Sequence, residues 1–389
     1  MADGTKIEWT DATWNPITGC SVVSPGCTNC YAMKLAGTRL RNHESRAGLT
    51  SDTKAGPVWN GEVRLNEKWL TQPLTWSRPR MIFVCAHADL FAESVPDAWI
   101  DKVFAVIGLA SRLHHCPVED GELNRHVFQL LTKRPERMLA YISEMERCFE
   151  SDPSEFAKRW GTAAADVMGS PCAAGIIEDI EWPLPNLWLG VSVEDQKRAN
   201  ERIPHLLQTS AALHWISAEP MLGLIDPRNI VFADGDTEIR YDALTGEAWV
   251  ENSDSASAYD CNLPKLDWVV AGGESGPDAR PMHPGWVRSL RDQCATAGVP
   301  FLFKQWGEWA PQVGAVDGWT IDDNPEISRF DHRDWEEDRW GEHYRPAWCD
   351  DIDDDTVSRI GKKRAGRKLD DVEHDAFPPL PTSISRAAE

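Results

Sequence analysis

Six apolar runs of strand length recur along the sequence, and each one ends in polar or small residues. They span residues 81–86, 126–131, 187–191, 213–216, 266–271 and 300–303. A continuous apolar run of this length is typical of a strand buried on both faces of a parallel sheet. A helix-like segment follows several of the runs, the clearest at 96–113. The alternation therefore predicts an α/β fold with a mainly parallel sheet.

A seventh, short strand is predicted near Ile17, just before a loop that contains three cysteines. About six to seven strands favour a partial or closed β/α barrel over an open doubly wound sheet. In such a barrel the carboxyl ends of the parallel strands form the active face. The polar residues that end the runs are therefore expected to meet at one mouth.

The barrel is predicted to cover residues 1–310, with a helix-like run after the cysteines at 31–41. Residues 311–389 differ in composition, because they are rich in acidic residues and tryptophan before a basic segment at 359–368. This C-terminal extension is expected to be irregular. Three insertions are predicted in the barrel, a polar one at 42–80, a helical one at 150–185 and one with a hairpin at 229–263.

The chain of 389 residues has a net charge of −22, which repels nucleic acid at long range. Any contact with nucleic acid must therefore be local. No apolar run reaches the ~20 residues of a membrane span, and residues 1–6 lack the plan of a signal peptide. The sequence thus predicts a cytoplasmic protein without membrane contact, whose cysteines are reduced.

Three of the ten cysteines, Cys20, Cys27 and Cys30, fall within eleven residues in the spacing C-x6-C-x2-C. In a reducing compartment, clustered cysteines more often bind metal or do chemistry than form disulfides. Three thiolates can hold three corners of a [4Fe–4S] cluster and leave one iron open to a ligand. A structural zinc with a fourth ligand elsewhere, or three unrelated thiols, are the alternatives.

A cysteine loop after the first strand of a β/α barrel resembles the radical SAM superfamily. There the open iron chelates S-adenosylmethionine, and an electron from the cluster cleaves it to a 5′-deoxyadenosyl radical that abstracts hydrogen from a substrate. The usual spacing is C-x3-C-x2-C; Cys27 and Cys30, followed by Tyr31, match its second half, while the first gap is three residues longer. The resemblance implies an enzyme with a [4Fe–4S] cluster, S-adenosylmethionine and an external electron donor.

Most of the chain is also similar to an uncharacterised family of phage-associated proteins with a three-cysteine motif. That family has no established substrate, although a phage setting fits modification or repair of a nucleobase, a nucleotide or DNA. The matching segments are 9–16, the cysteine loop, 131–135, 190–194, 217–220, 272–276, 304–307 and 361–363.

Polar residues at the strand ends are expected to bind the cofactor. By position in a radical SAM barrel, Asp89 is a candidate for the amino group of S-adenosylmethionine, with a structural or capping carboxylate as the alternative. Lys133 and Arg134 suit a carboxylate or a phosphate. The remaining candidates for cofactor binding are Ser192, Glu194, Gly272, Gly273 and Glu274, the glycines because they let backbone approach a ligand.

Lys304 and Glu219 are the candidate catalytic residues. Lys304 follows four apolar residues, so its ammonium is expected to point into the site and to need a partner such as Glu219 or Glu274. Glu219 is a candidate for binding a ribose or the substrate. A salt bridge without a catalytic role is the alternative.

The resemblance to the radical SAM superfamily therefore implies an enzyme of that type, and the phage-associated resemblance, together with local basic groups, suggests a nucleobase, a nucleotide or DNA as its substrate. One alternative is a zinc-stabilised protein that binds or processes nucleic acid, and another is a non-catalytic barrel that binds a partner protein. The basic segment 359–368 is a candidate for phosphate contacts, or it neutralises the acidic residues before it.

Overall fold

The structure is a computed structural model that describes residues 4–113, 126–234, 237–250, 264–311, 329–330 and 356–379. Most of the acidic extension lies outside these residues, as do Cys116, Cys261 and Cys349. No helix in the described ranges is both long enough and apolar enough to cross a membrane.

Seven parallel strands form the central sheet and lie side by side in the order of the sequence. The sheet curls into a half-barrel whose edges are its first and last strands. The predicted α/β fold is confirmed, and the barrel is partial. The strands are β1 (Ala12–Trp14), β2 (Met81–Val84), β3 (Val127–Thr132), β4 (Leu187–Ser192), β5 (Leu213–Ala218), β6 (Trp268–Gly272) and β7 (Phe301–Gln305).

The first strand lies earlier than predicted. β1 pairs with β2, with Ala12 opposite Ile82. Ile17–Thr18 instead forms a small antiparallel pair with Arg64–Leu65, outside the sheet. Pro16 separates the two segments, and a proline has no N–H to give to a sheet ladder. The cysteine loop therefore follows the small strand Ile17–Thr18 and does not start directly at the end of a sheet strand.

Helices cover the outer face of the half-barrel. Outward side chains of the strands, such as Ile82, Leu130 and Leu189, share one buried core with these helices. Helix α1 (Tyr31–Gly37), which follows the cysteine loop, is shorter than the predicted 31–41 and packs on a small hairpin. The other long helices are α2 (Asp97–Leu113), α3 (Pro135–Ser151), α4 (Gln196–Leu207) and α5 (Pro284–Ala297).

The insertions contain the predicted kinds of structure. The one at 150–185 is helical, with turns at Pro153–Phe156, Ala157–Gly161, Thr162–Met168 and Cys172–Glu178. The one at 229–263 contains the hairpin, extended to three strands at Ile230–Asp234, Thr237–Asp242 and Glu247–Val250. The smaller elements are Thr50–Thr53, Gly56–Trp59, Glu67–Leu70, Gln72–Thr75, Trp309–Pro311, Arg329–Phe330, Val357–Arg359, Lys362–Ala365, Lys368–Leu369 and Val372–Glu373.

The inner face of the half-barrel changes from apolar to polar along the strands. Near the amino ends, inward tryptophans such as Trp188, Trp215 and Trp268 pack into a second buried cluster with Leu302. Since side chains two residues apart share a face of a strand, Lys304 lies on the same inner face as Leu302. The carboxyl ends of the strands therefore carry polar groups above an apolar floor.

Candidate active site

A cavity of about 620 Å³ opens at the carboxyl ends of the strands. All three cysteines of the loop line it. Of the thirteen predicted site residues, Glu194 and Gly272 do not line the cavity. The other eleven do: Cys20, Cys27, Cys30, Asp89, Lys133, Arg134, Ser192, Glu219, Gly273, Glu274 and Lys304.

The cysteine loop folds into a compact turn. Pro25–Cys27 forms one turn of 3-10 helix, in which the Cys27 amide donates to the Ser24 carbonyl over 2.9 Å. Cys30 follows as the residue that caps the amino end of α1. Part of the gap between Cys20 and Cys27 is therefore a hydrogen-bonded turn, and Cys30 leads directly into a helix.

Arg134 holds the first part of the loop. Its guanidinium donates to the Ser21 carbonyl over 3.0 Å and also to the Ser21 hydroxyl. The same group lies 3.7 Å from the sulfur of Cys20 and pairs with Asp89 and Glu93, each over 3.0 Å. A fixed positive charge next to Cys20 favours the thiolate form that a metal needs.

Asp89 is fully engaged within the protein. One carboxylate oxygen accepts from the Thr132 hydroxyl over 2.7 Å and from the Phe91 amide over 3.0 Å. The other accepts from the Lys133 amide over 2.9 Å and from Arg134 over 3.0 Å. Asp89 thus orients Arg134 and also lines the cavity, so its contacts suit a structural role and do not test the predicted contact with a cofactor.

Glu194 binds the middle of the loop through Ser24. Its buried carboxylate accepts from the Ser24 hydroxyl over 2.9 Å, from Lys133 over 2.6 Å and from Arg202 over 3.0 Å. Burial raises the pKa of Glu194, but the two cations outweigh that effect and keep the pKa below its usual value. A Cβ on Gly26 would lie 2.3 Å from this carboxylate, so glycine is required there.

Glu274 and Arg280 hold the last part of the loop. Asn29 donates to Glu274 over 3.0 Å, and Arg280 pairs with the same carboxylate over 2.6 Å. Arg280 also donates to the Pro25 carbonyl over 3.0 Å. The loop is thus fixed from three sides, by groups after β2 and β3, after β4 and after β6.

Lys304 and Glu219 form an ion pair in the cavity. The ammonium of Lys304 lies 2.7 and 2.8 Å from the two oxygens of Glu219. The structure therefore supplies the partner that Lys304 was expected to need, and it is Glu219 rather than Glu274. The side-chain amide nitrogen of Gln305 donates to Glu219 over 3.3 Å. The side-chain oxygen of Gln305 has no partner among the described residues.

Two thiols of the loop, those of Cys20 and Cys30, hold their protons strongly, because burial raises their pKa values. Burial raises the pKa of Cys20 to about 12, with a further contribution from Asp89. Burial also raises the pKa of Cys30. A metal that bound these two cysteines as thiolates would have to displace the protons, so its affinity would depend on pH.

The donor set of the loop is three cysteine thiols, and thiolates are ligands both of zinc and of iron–sulfur clusters. Zinc needs its ligands around one point, with sulfur about 2.3 Å from the metal. Within the described ranges, no group of three or more His, Cys, Asp or Glu side chains is placed to hold one ion in this way. Three cysteines that bind three irons of one cluster do not have to meet at one point.

Several cavity residues were not predicted from the sequence. Trp9, Tyr31 and Phe83 form an aromatic part of the wall. His87 also lines the cavity; burial, with Arg46 nearby, lowers its pKa to about 4, so the ring is neutral near pH 7. The alternation of polar and aromatic residues at 7–14 was the sequence signal for Trp9, but the same pattern fits a core position, and Trp9 also packs in the buried cluster of the inner face.

Replacement of Gly273 by alanine is expected to destabilise the site. A Cβ at Gly273 would lie 2.0 Å from the backbone carbonyl of Trp306, so the ends of β6 and β7 would have to separate. Overpacking of this kind costs about 1–3 kcal/mol, and urea unfolding measures it. Gly175→Ala is the matched control, because nothing lies within 4 Å of its Cβ position. Equal stability of the two variants would contradict this account of Gly273.

Residues 4–378 match the model of a family described as "Protein of unknown function (DUF5131)". No curated protein and no solved structure matches the chain.

Proposed function

The chain belongs to this family of unknown function, DUF5131, and we propose that it is a radical SAM-type enzyme that acts on a nucleobase, a nucleotide or nucleic acid. One observation carries the proposal: the three cysteines of one loop line a single cavity at the carboxyl ends of an all-parallel half-barrel. The carboxyl ends of barrel strands are where enzymes of this architecture place their chemistry.

Cys20, Cys27 and Cys30 are the residues that would hold a [4Fe–4S] cluster. Such a cluster, when bound with S-adenosylmethionine at its open iron, supplies the electron that generates a 5′-deoxyadenosyl radical for hydrogen abstraction. The electron comes from an external donor. Four thiolate ligands would leave no open iron, so a loop with three cysteines suits this use.

The protein contributes a rigid and charged frame for the loop. Arg134 places a cation beside Cys20, which offsets part of the negative charge of bound thiolates. Glu194 and Glu274 fix the loop at Ser24 and Asn29. Because these contacts come from different strand ends, the positions of the sulfurs depend on the folded sheet.

Lys304 and Glu219 give the cavity polar groups in addition to its aromatic residues. Their ion pair is only partly exposed, at 16% for Lys304 and 20% for Glu219. A substrate that enters can accept a hydrogen bond from the Lys304 ammonium, while the Glu219 carboxylate accepts one from a hydroxyl such as that of a ribose. We propose that these two residues orient the substrate.

Cleavage of S-adenosylmethionine tests the proposed function. Anaerobically reconstituted protein, given dithionite and S-adenosylmethionine, should release 5′-deoxyadenosine, which chromatography with mass detection identifies. The Cys172→Ala variant is the control, since Cys172 is exposed and lies outside the cysteine loop, and it should still release this product. A reconstituted protein that holds iron but releases no 5′-deoxyadenosine would refute the proposal.

A further inference from the structure

The basic segment 359–368 is docked beside the cavity. Trp306, just after β7, receives the segment, since its amide donates to the Gly366 carbonyl over 3.2 Å and its indole donates to the Lys368 carbonyl over 2.8 Å. The Ile360 amide donates to the Glu308 carbonyl over 3.0 Å. These hydrogen bonds fix the backbone of the segment relative to the carboxyl end of β7.

Four lysines line the cavity, and they fall into two kinds. Lys133 and Lys304 are paired with Glu194 and Glu219, respectively. Lys6 and Lys362 are exposed, and neither has an ion-pair or hydrogen-bond partner among the described residues. The mouth of the cavity therefore carries two cations that the described part of the protein does not neutralise.

The basic segment carries two more lysines after Lys362 in the sequence. Lys363 and Lys368 are also exposed and lack a partner in the ranges that the structure describes. Asp370, the nearest acidic residue in sequence, is already paired with Arg288 and Arg291. On a chain with a net charge of −22, such a strip fits an anion longer than a single phosphate, because each lysine can contact a different phosphate.

The interior of the cavity fits a planar ligand with a polar edge. Trp9 and Phe83 provide ring surfaces. Three buried polar atoms of the lining have no partner among the described residues: the indole N–H of Trp9, the Nδ1 of His87 and the side-chain oxygen of Gln305. Unpaired buried polar atoms are costly unless a ligand satisfies them. A nucleobase offers both a ring face for stacking and donors and acceptors at its edge.

We propose that the lysines at the mouth, Lys6 and Lys362, together with Lys363 bind the phosphates of a single-stranded nucleic acid, one base of which enters the cavity. The inference rests on the proposed function, because it names the substrate of the same site. S-adenosylmethionine contains no phosphate, so these lysines are not needed to bind the cofactor. A single strand is favoured over a duplex because an unpaired base does not first have to leave a stack.

Binding of a labelled oligonucleotide tests the inference. The full-length protein, purified anaerobically, is titrated into a fluorescent single-stranded DNA of about 12 nucleotides, without S-adenosylmethionine or reductant. Fluorescence anisotropy is measured at several salt concentrations. Lys362→Glu should weaken binding, and the slope of log K against log salt should become shallower by about 0.7 for each phosphate that the variant no longer binds.

Lys265→Glu is the matched control. Lys265 is exposed and lies before β6, at the opposite end of the parallel strands, so the same change in charge should leave binding nearly unchanged. Lys363→Glu provides a second variant in the basic segment, in case Lys362→Glu does not fold. Mixed deoxynucleoside monophosphates, added at equal phosphate concentration, should not displace the oligonucleotide.

Three results would overturn the inference. The first is that the wild-type protein does not bind the oligonucleotide. The second is that Lys265→Glu weakens binding of the oligonucleotide as much as the variants of the basic segment do. The third is that the mononucleotides displace the oligonucleotide, which would identify a free nucleotide as the ligand. None of these bears on cleavage of S-adenosylmethionine. A protein that releases 5′-deoxyadenosine but binds no oligonucleotide would retain the proposed function and lose only this substrate.

Discussion

Cys27→Ala is expected to reduce the iron content of the reconstituted protein from about four irons per chain to almost none. Cys27 is the central cysteine of the loop, and it is buried at the end of the turn Pro25–Cys27. With one of three protein ligands removed, two cysteines cannot hold the cluster against loss to solvent. The broad visible absorption of the protein should disappear together with the iron.

Cys172→Ala is the control for the loss of iron. Cys172 is exposed and lies in the helical insertion, far along the chain from the loop. This variant should keep both the iron and the colour of the wild type. If Cys27→Ala retained a full complement of iron, the loop would not be the ligand set, and the assignment of the site would be wrong.

Glu194→Gln is expected to destabilise the protein by about 3–5 kcal/mol, the usual cost of removing one partner of a buried ion pair. The fully buried carboxylate lies between Lys133 and Arg202, so glutamine leaves the buried Arg202 and the partly exposed Lys133 without this counter-charge. It also weakens the hydrogen bond with Ser24, through which Glu194 holds the cysteine loop. We therefore expect lower stability in urea and slower assembly of the cluster.

The destabilisation by Glu194→Gln should depend on pH. The pKa of Glu194 is lowered in the folded state, so the carboxylate stabilises the fold above the pKa of the unfolded chain and loses that effect as the pH falls through the folded value. The difference in free energy of unfolding between wild type and variant should shrink in acid.

Glu201→Gln is the control, since Glu201 pairs with Arg198 at the surface over 3.8 Å, and such pairs contribute about 0–1 kcal/mol. Equal effects of the two substitutions would contradict the anchoring role of Glu194.

The sheet could be predicted from the sequence because its signal is local. Each of the six apolar runs overlaps one observed strand, and the predicted helix at 96–113 corresponds to α2. The error at Ile17 has a local cause as well, since Ala12–Trp14 reads as an alternation of small, polar and aromatic residues and not as an apolar run. The neighbouring Pro16 could have indicated that Ala12–Trp14 and Ile17–Thr18 pair with different strands.

The frame of the cysteine loop could not be predicted in the same way, because its hydrogen bonds join distant parts of the chain. Ser24 and Glu194 are 170 residues apart, and Pro25 and Arg280 are 255 residues apart. No periodicity links such pairs. The sequence indicated that Glu194 and Glu274 belong near the site, but their contacts with the loop emerge only from the folded sheet.

The sequence did indicate that Lys304 needs a counter-charge. A lysine that follows an apolar strand and shares its inner face must either reach solvent or find a counter-charge. Glu219 directly follows β5 and Glu274 follows β6, so both were reasonable partners. Which of them pairs with Lys304 depends on the curvature of the sheet, which the sequence does not encode locally.

Electron paramagnetic resonance of the reduced protein tests most directly whether the loop holds a cluster with an open iron. After anaerobic reconstitution and reduction with dithionite, the wild type should show the signal of a reduced [4Fe–4S] cluster. Addition of S-adenosylmethionine should change that signal, because the cofactor binds the open iron, and Cys27→Ala should show no signal at all. A protein that binds zinc but no iron, or a cluster signal that S-adenosylmethionine leaves unchanged, would contradict the account.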